Sequence, residues 1–449
     1  NPKVIYEDDT PYCYVQVARV SEKEDKRSFV QDRLLHSSIV MSNPTRLQYP
    51  YEQIMAAVTH RFGKDKTSPS FLIIGGGGYV LPRYLEKFWP QGTVDVAEID
   101  PGVTEAAIKA FGLSPDTKIN TFSLDARNYV DEAIRRPEKK YDFIYEDALN
   151  DYSVPYQLTT HEFNEKLVKL LTDDGIYMVE LIDIFDKALF LGAFVNTLEQ
   201  TFDFVSVIST RGTATNDRNT FVVIAAKHRL DLADVCAGHY TSRPIWYFND
   251  SDIAAVKTKA NGIILTDDYA PVDNLLAAVA AKNSQEIIAD RYMKKAEKYQ
   301  SQGQFDKAMA EYRKVLKIDP GLSIKAYNNM GIIYAEQGRP EQAAESLKSA
   351  LELNEKTGMQ QNLAVLELNL GMTLSQLNSP KESEFYLQKA VKGLREILAQ
   401  EPNTVWVWSY LGEAMLQMDD FDEAGKAFSE AIKLEPGNPM HYRSLAVAL

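Results

Sequence analysis

Cysteine is almost absent from this chain: Cys13 and Cys236 are the only two among 449 residues. Two cysteines without metal-type spacing argue against a zinc framework or a disulfide-stapled fold and point to a reducing compartment. Positive charge is also short. Lys and Arg number 49 against 63 Asp and Glu, a net charge of −14. That excludes the basic footprint of a nucleic-acid binder and fits cationic partners or a solvated acidic surface. Long apolar runs are missing: none reaches the roughly 18 residues of a membrane helix. No targeting segment is visible, and the chain begins Asn1-Pro2 without a Met, so a piece processed or cut from something longer is expected. No metal constellation and no Ser/His/Asp ordering stands out. The remainder, 45% hydrophobic and 25% charged, is an ordinary globular composition with length for about two or three domains.

Hydrophobic periodicity divides the chain into three. Residues 1–65 hold short alternating runs (Tyr12 to Ala18, Ser28 to Val30, Ser38 to Met41) and a helical stretch from Tyr51 to Phe62, which predict a small N-terminal β-strand domain. Residues 66–285 alternate apolar runs (Phe71 to Ile74, Thr93 to Glu98, Phe143 to Tyr145, Ile176 to Val179) with helical stretches (Val103 to Ala110, Glu162 to Leu171). Such alternation predicts βαβ units on a parallel sheet. Two further strands, Phe204 to Ile208 and Thr220 to Ala225, close it across a turn at Asn216 to Asn219. Residues 286–449 turn helical, rich in Ala, Glu, Lys and Gln.

This last third is self-similar. Trp408, Leu411, Gly412, Ala424, Phe428, Ala431 and Pro436 occupy the defining positions of a tetratricopeptide unit of about 34 residues. Tyr327, Gly331, Tyr334, Ala343, Leu347 and Ala350 repeat the pattern. Gly371, Ser383 and Ala390 make a third copy; Tyr292, Tyr299, Ala308, Tyr312 and Pro320 make a weaker first one. Small residues stand where two antiparallel helices approach, and large ones fill the space between. The equivalent glycines at 331, 371 and 412 lie 40 and 41 residues apart, so the helices or loops of these units exceed the minimum. An all-α solenoid follows, with residues 441–449 as a cap or half of a further unit.

The chemistry gathers in the middle third. Gly75-Gly-Gly-Gly78 follows an apolar strand and precedes a helix from about Leu81, the arrangement that lets backbone approach a nucleotide. Glu98 ends the next strand, 20 residues past Gly78, where a carboxylate accepts from both ribose hydroxyls. Asp125-Ala126 stands before a helix, where a carboxylate accepts from an adenine amino group. Asp147 follows the fourth strand, at the carboxyl edge where open parallel sheets bind ligands. The loop lacks Gly-x-Gly-x-x-Gly spacing, which favours a single nucleoside over a dinucleotide.

These elements resemble the spermidine synthase family, the polyamine aminopropyltransferases. The likeness covers residues 1–280 and rests on Ile73-Ile-Gly-Gly-Gly77, Glu98-Ile-Asp-Pro101, Asp125-Ala126, Tyr141-Asp-Phe-Ile-Tyr-Glu-Asp147, Leu158-Thr-Thr-His-Glu-Phe163 and Leu171-Thr-Asp-Asp-Gly175. It implies a Rossmann-like, methyltransferase-type fold that binds decarboxylated S-adenosylmethionine or methylthioadenosine; the expected cofactor is decarboxylated S-adenosylmethionine, or S-adenosylmethionine itself, with no metal. The resemblance implies Gly75, Gly76, Gly77, Glu98, Asp125 and Ala126 for the cofactor. Asp32 to His36 corresponds to the family's Asp-Gly…Gln element, which adds His36. Asp147 matches the aspartate that binds and deprotonates the attacking amine. The chain departs from the family at Gly78, where an aspartate is usual, at Asn150-Asp151, and at Pro50-Tyr51-Glu52 in place of Tyr-His-Glu. The likeness is greatest to a bacterial branch that follows a bundle of membrane helices, carried by Gly75 to Arg83 and Leu265 to Pro271.

Aminopropyl transfer needs a neutral amine delivered in line to a carbon activated by sulfonium, hence a nearby carboxylate and tight positioning. Asp147 is the expected base. Tyr51, Asn150, Asp151, Glu180, Asp267 and Asp268 are expected to line the amine site, with Tyr79, Tyr152 and Tyr156 as aromatic walls for a cation; His36 and His161 are weaker candidates for ligand contact. A methyltransferase or other S-adenosylmethionine enzyme with a different acceptor stays open, as does a non-catalytic ligand sensor with the repeats as output. The expected partners are a polyamine or other amine, and a protein or second copy held by the repeats; the alternative packs the repeats over the active site. Location is expected to be cytoplasmic, or the soluble part of a membrane-tethered parent.

Overall fold

The computed structural model describes residues 3–32, 34–148, 154–211, 218–236, 245–357 and 362–448. Near the N-terminus, alternating side chains make an antiparallel meander: β1 (Lys3–Asp9), β2 (Tyr14–Ser21), β3 (Lys26–Gln31) and β4 (Leu34–Val40), paired in chain order. Strand β1 was not foreseen, since its charged residues mask the pattern. The meander has no core of its own. Its buried Val15, Val17, Phe29 and Ile39 pack with Ala56, Val80, Val103, Ala106 and Phe111 of the following elements.

Those elements build an eight-stranded sheet. Strands β5 (Ser70–Ile74), β6 (Thr93–Ala97), β7 (Asn120–Phe122), β8 (Tyr141–Glu146), β9 (Leu171–Ile184), β10 (Phe204–Ser209), β11 (Arg218–Ala226) and β12 (Trp246–Tyr247) stand in the order β12-β10-β11-β9-β8-β5-β6-β7. The run β7-β6-β5-β8-β9 is parallel, and β11, β10 and β12 join antiparallel. The closing pair foreseen from sequence is present; most of its turn, 212–217, lies outside the described residues. Helices α1 (Pro50–Gly63), α2 (Val80–Phe88) and α3 (Pro101–Ala110) cover one face through Ile54, Val58, Leu81, Leu85 and Ala107. Helices α4 (Ala126–Ile134), α5 (His161–Leu170) and α6 (Leu189–Leu198) cover the other through Tyr129, Phe163, Leu167 and Phe194. Short helices α7 (Ala233–Cys236), α8 (Asp250–Lys259) and α9 (Val272–Leu275) complete this part. With both faces covered, central strands read as continuous apolar runs, as Phe71-Leu-Ile-Ile74 does. Chain order reverses between β5 and β8, where a doubly covered parallel sheet opens its binding crevice.

The chain divides into two compact units, Asn1–Asn283 and Ser284–Leu449. The second is all helix: α10 (Ala277–Ser301), within which the division falls, then α11 (Phe305–Val315), α12 (Pro320–Glu336), α13 (Pro340–Thr357), α14 (Leu363–Gln376), α15 (Pro380–Gln400), α16 (Val405–Gln417), α17 (Phe421–Leu434) and α18 (Pro439–Ala448). In each of three successive pairs a glycine of the first helix faces a large residue 16 positions later in the second. A Cβ on Gly331 would lie 2.8 Å from Leu347, on Gly371 2.8 Å from Leu387, and on Gly412 2.6 Å from Phe428. Glycine is thus the device that lets the helices touch. The long repeat spacing resides in the helices, since α13 has 18 residues and α15 has 21 against 14 in α17.

Candidate active site

Four strand ends supply the site. At the end of β5 the chain turns through Gly75 (φ +93°) and Gly77 (φ +46°), left-handed conformations that favour glycine. The Gly75 amide donates to Ala97 O at 2.9 Å, and the Gly76 amide to Glu98 Oε2 at 2.7 Å. Glu98 Oε1 accepts from the Asp100 amide at 2.9 Å. Glu98 therefore ties the glycine loop to the start of α3, where Asp100 caps the helix and Pro101 opens it. Burial raises the Glu98 carboxyl pKa, against the pull of these amides.

Behind the loop stands Arg83 of α2, 8% exposed. Its guanidinium donates to Phe111 O at 2.7 Å, Tyr79 O at 2.9 Å and Gly78 O at 2.9 Å. Burial lowers its pKa to about 10. With the loop's last carbonyls held from behind, the turn is preset. From the N-terminal sheet, Ser37 Oγ accepts from the Gly78 amide at 3.2 Å. Neither Arg83 nor Ser37 was singled out for the site from sequence; Arg83 at least closes the Gly-Gly-Gly-Gly-Tyr-x-x-Pro-Arg run.

Asp147 follows β8 beside this loop. Its amide donates to Ile74 O at 2.9 Å, and a Cβ on Gly75 would lie 2.6 Å from its carbonyl oxygen. At the start of α1 the Tyr51 hydroxyl donates to Asp147 Oδ2 at 3.2 Å, and the Tyr51 ring stacks on Tyr49 with centroids 5.9 Å apart. Glu52, 2% exposed, accepts from the Tyr49 amide at 3.1 Å; burial pushes it up to about 8. Glu180 of β9 is 5% exposed. Burial raises the carboxyls of Asp147 and Glu180 well above the usual range, and the charge of Asp147 raises Glu180 further.

The remaining expected residues fall in different places. Asp125 caps α4, with Oδ1 accepting from the Arg127 and Asn128 amides at 2.9 and 3.2 Å, and Ala126 is buried beside it. His36 is the extra residue of a β-bulge, because Leu35 pairs with Val30 and Ser37 with Phe29. Burial lowers its imidazole pKa. His161 starts α5, with its amide on Leu265 O at 2.8 Å and Nδ1 3.1 Å from the Thr201 hydroxyl, a structural placement. Asn150, Asp151 and Tyr152 lie outside the described residues.

Two expectations are corrected. Tyr79 does not wall a channel: it is fully buried, and its hydroxyl meets Thr104 Oγ1 at 2.8 Å and Thr121 Oγ1 at 3.2 Å. A Cβ on Gly76 would meet its ring at 2.8 Å, so the ring is the floor of the glycine turn. Asp267 is held by the protein and does not stand free in the amine pocket: Arg127 holds Oδ2 and Thr160 donates to Oδ1 at 2.7 Å. Burial opposes, but these donors hold its carboxyl below the usual range. Its amide donates to Glu162 at 2.9 Å, so this loop is pinned to α5. Asp268 beside it is exposed. Among the described residues no group of His, Cys, Asp and Glu could hold a metal ion, and no helix is long and apolar enough to cross a membrane.

Strand order and a site at the switch point define a Rossmann-like α/β domain of the methyltransferase type. Comparison with known proteins narrows the class. Residues 51–185 match the spermine/spermidine synthase domain, and residues 291–356, 322–396 and 405–438 match tetratricopeptide repeats. The chain therefore carries a spermidine synthase domain followed by tetratricopeptide repeats. A polyamine aminopropyltransferase of Vibrio vulnificus is 37% identical over 131 residues, 29% of this chain and 42% of that protein. A probable polyamine aminopropyl transferase of Bifidobacterium longum is 25% identical over 290 residues, 60% of this chain and 61% of that protein. The chain thus spans about half the length of these relatives. A probable spermidine synthase from Corynebacterium glutamicum shares the fold, with a TM-score of 0.53 and 18% identity over 58% of this chain and 96% of that one.

Proposed function

We propose that residues 1–283 act as an aminopropyltransferase, moving an aminopropyl group from decarboxylated S-adenosylmethionine to a polyamine amine and releasing methylthioadenosine. One observation carries the reading: the nucleoside-type glycine loop and a buried acidic pocket are in backbone contact, Gly75 against Asp147. A donor held by its nucleoside end along Gly75 to Gly77 has its reacting tail beside carboxylates able to take an ammonium group. The residues fit such a donor. Glu98 accepts the Gly76 and Asp100 amides, one on each oxygen, with the Gly77 amide also acting on it, and the four lone pairs of a carboxylate leave room for a ribose hydroxyl. Asp125 takes its helix cap on Oδ1 alone, which leaves Oδ2 for an adenine amine. The bound donor supplies a carbon activated by its sulfonium. Asp147 holds the acceptor nitrogen and removes its proton, while Tyr51 fixes the carboxylate that does so. The polyamine relatives favour this reading over a methyltransferase or a sensor. For the second unit, stacked tetratricopeptide pairs support binding of a protein or a second copy of the chain.

The test is calorimetric titration of the full chain with decarboxylated S-adenosylmethionine, S-adenosylmethionine and methylthioadenosine, then product analysis with putrescine and spermidine. Tight binding of the decarboxylated donor and release of methylthioadenosine are expected, with turnover lost in Asp147→Asn. Release of S-adenosylhomocysteine instead would make the protein a methyltransferase.

A further inference from the structure

The pocket contains a second carboxyl whose placement is not explained by packing. Strand register sets Glu146 against Val179 in the parallel pair β8 and β9, so the next residues, Asp147 and Glu180, are cross-strand neighbours. Directly opposed residues point to the same side of a sheet, about 5 Å apart. That side carries Phe143, Tyr145, Ile176 and Met178 under α1, whose first turn brings Tyr51 and Glu52. Glu180 is 5% exposed, and among the described residues no hydrogen bond or ion pair reaches its carboxyl. The other buried carboxylates here each keep at least one donor: Glu98 has two amides, Asp183 has the Ile184 and Leu191 amides at 2.7 and 2.9 Å, and Glu146 has the Tyr177 hydroxyl on Oε2, with Oε1 left unpartnered. Two like charges opposed on one sheet face are destabilising, and here burial adds to that.

We propose that Asp147 and Glu180 form one proton-sharing dyad on the acceptor amine, with Glu180 acting through Asp147 to raise the proton affinity of the pair toward that of the amine. The inference rests on the aminopropyltransferase reading. A lone aspartate ionises near pH 4 and is a poor base for an ammonium group, whereas catalysis favours a base matched to the operating pH. Two adjacent carboxylates cannot both ionise easily, so the second ionisation of the pair is displaced toward neutrality. The cationic acceptor stabilises the doubly ionised pair on binding. One ammonium proton then passes to the pair, which shares it and loses its repulsion. The freed nitrogen lone pair forms the new C–N bond, the C–S bond breaks with its electrons going to sulfur, and the product nitrogen carries the positive charge. Tyr51, which donates to Asp147, orients that carboxyl toward the nitrogen. Among the described residues Glu180 has no such donor, which makes it the member to hold the proton. The other titratable groups facing the pair are Tyr49, Tyr51 and Glu52.

The experiment is the pH profile of kcat/KM for putrescine in the full-length protein and in Glu180→Gln. Removing the neighbouring charge is expected to move the acidic limb down by about 1–2 pH units and to lower kcat at neutral pH by about 10- to 100-fold. Glu180→Asp should keep the limb near its original position. Methylthioadenosine affinity, which does not depend on Glu180, reports that each variant is folded. An unmoved limb in a variant that binds methylthioadenosine overturns the dyad. If the wild type turns over no amine, the aminopropyltransferase reading fails, and the dyad is judged by infrared titration of the full chain. A carboxyl band titrating near neutrality that vanishes in both Glu180→Gln and Asp147→Asn supports the shared proton; a band unchanged in Glu180→Gln sinks it.

Discussion

Gly75 shows how little tolerance the donor loop has. Its φ of +93° disfavours any side chain, and a Cβ there would lie 2.6 Å from the backbone oxygen of Asp147. Backbone cannot swing aside as a side-chain end can, so Gly75→Ala must displace Asp147 itself. The expected outcome is loss of both methylthioadenosine affinity and turnover. A variant with normal turnover would show that the loop and Asp147 move independently. Arg83 acts on the same loop from behind. Replacing it with Met leaves the carbonyls of Gly78 and Phe111 without their buried donor, while Tyr79 O keeps the backbone amide of residue 83. Each orphaned acceptor costs about 1–3 kcal/mol, partly recovered by local relaxation. Arg83→Met should therefore lower the melting transition of the α/β unit and weaken methylthioadenosine binding, while a melting curve like that of the wild type would refute the role.

At the scale of elements, the repeats separate two kinds of glycine. Gly412 of α16 has the Phe428 ring 2.6 Å from where its Cβ would be, whereas Gly425 of α17 has only Leu445 at 3.9 Å. Gly412→Ala overpacks a helix contact and should cost about 1–3 kcal/mol. Gly425→Ala fills ordinary space in a helix interior and should add about 0.5–1 kcal/mol. Chemical denaturation followed by helix signal distinguishes them, and equal effects of the same sign would refute the packing account. The pattern of small and large residues was legible in sequence at Gly412 and Phe428. Gly425 looks no different in sequence from a packed glycine, because only the neighbouring helix decides what its Cβ would meet.

Taken whole, the α/β unit buries carboxyls whose pKa values are raised: Glu52 and Glu146 to about 8 and Asp183 to about 6, with Asp147, Glu180 and Glu98 also raised, in each case chiefly by burial. A raised carboxyl pKa means the folded state binds more protons than the unfolded state between the unfolded value and the folded one. Stability then falls as pH rises through that window. Asp95 and Asp267 are shifted downward, so their contribution is lost only below their unfolded values. The melting temperature is therefore expected to decline from about pH 5 to about pH 8, and a flat or rising profile would mean that these carboxyls are hydrated. Part of the effect should vanish when a diamine is present, because a bound cation favours the ionised pocket.

Sequence alone brought out most of the strands and helices, the class of the sheet and the identity of the repeats, though not β1, β7 or β12. These depend on local periodicity and on glycines whose neighbours lie close in sequence. It also brought out Gly75, Glu98, Asp125 and Asp147, because a parallel sheet delivers the ends of its successive strands to one edge. Only tertiary structure decided which carboxylates remain available. Asp267 and Tyr79 looked like ligand residues, but the fold puts Arg127 and Thr160 on the carboxylate of one and Thr104 and Thr121 on the buried hydroxyl of the other. The site role of Ser37 depends on a β-bulge that no local pattern announces. The pairing of Asp147 with Glu180 depends on the register between two strands whose paired residues are 33 positions apart in sequence. Hydrogen-bond satisfaction and strand register are long-range properties, and a chain acquires them only once it has folded.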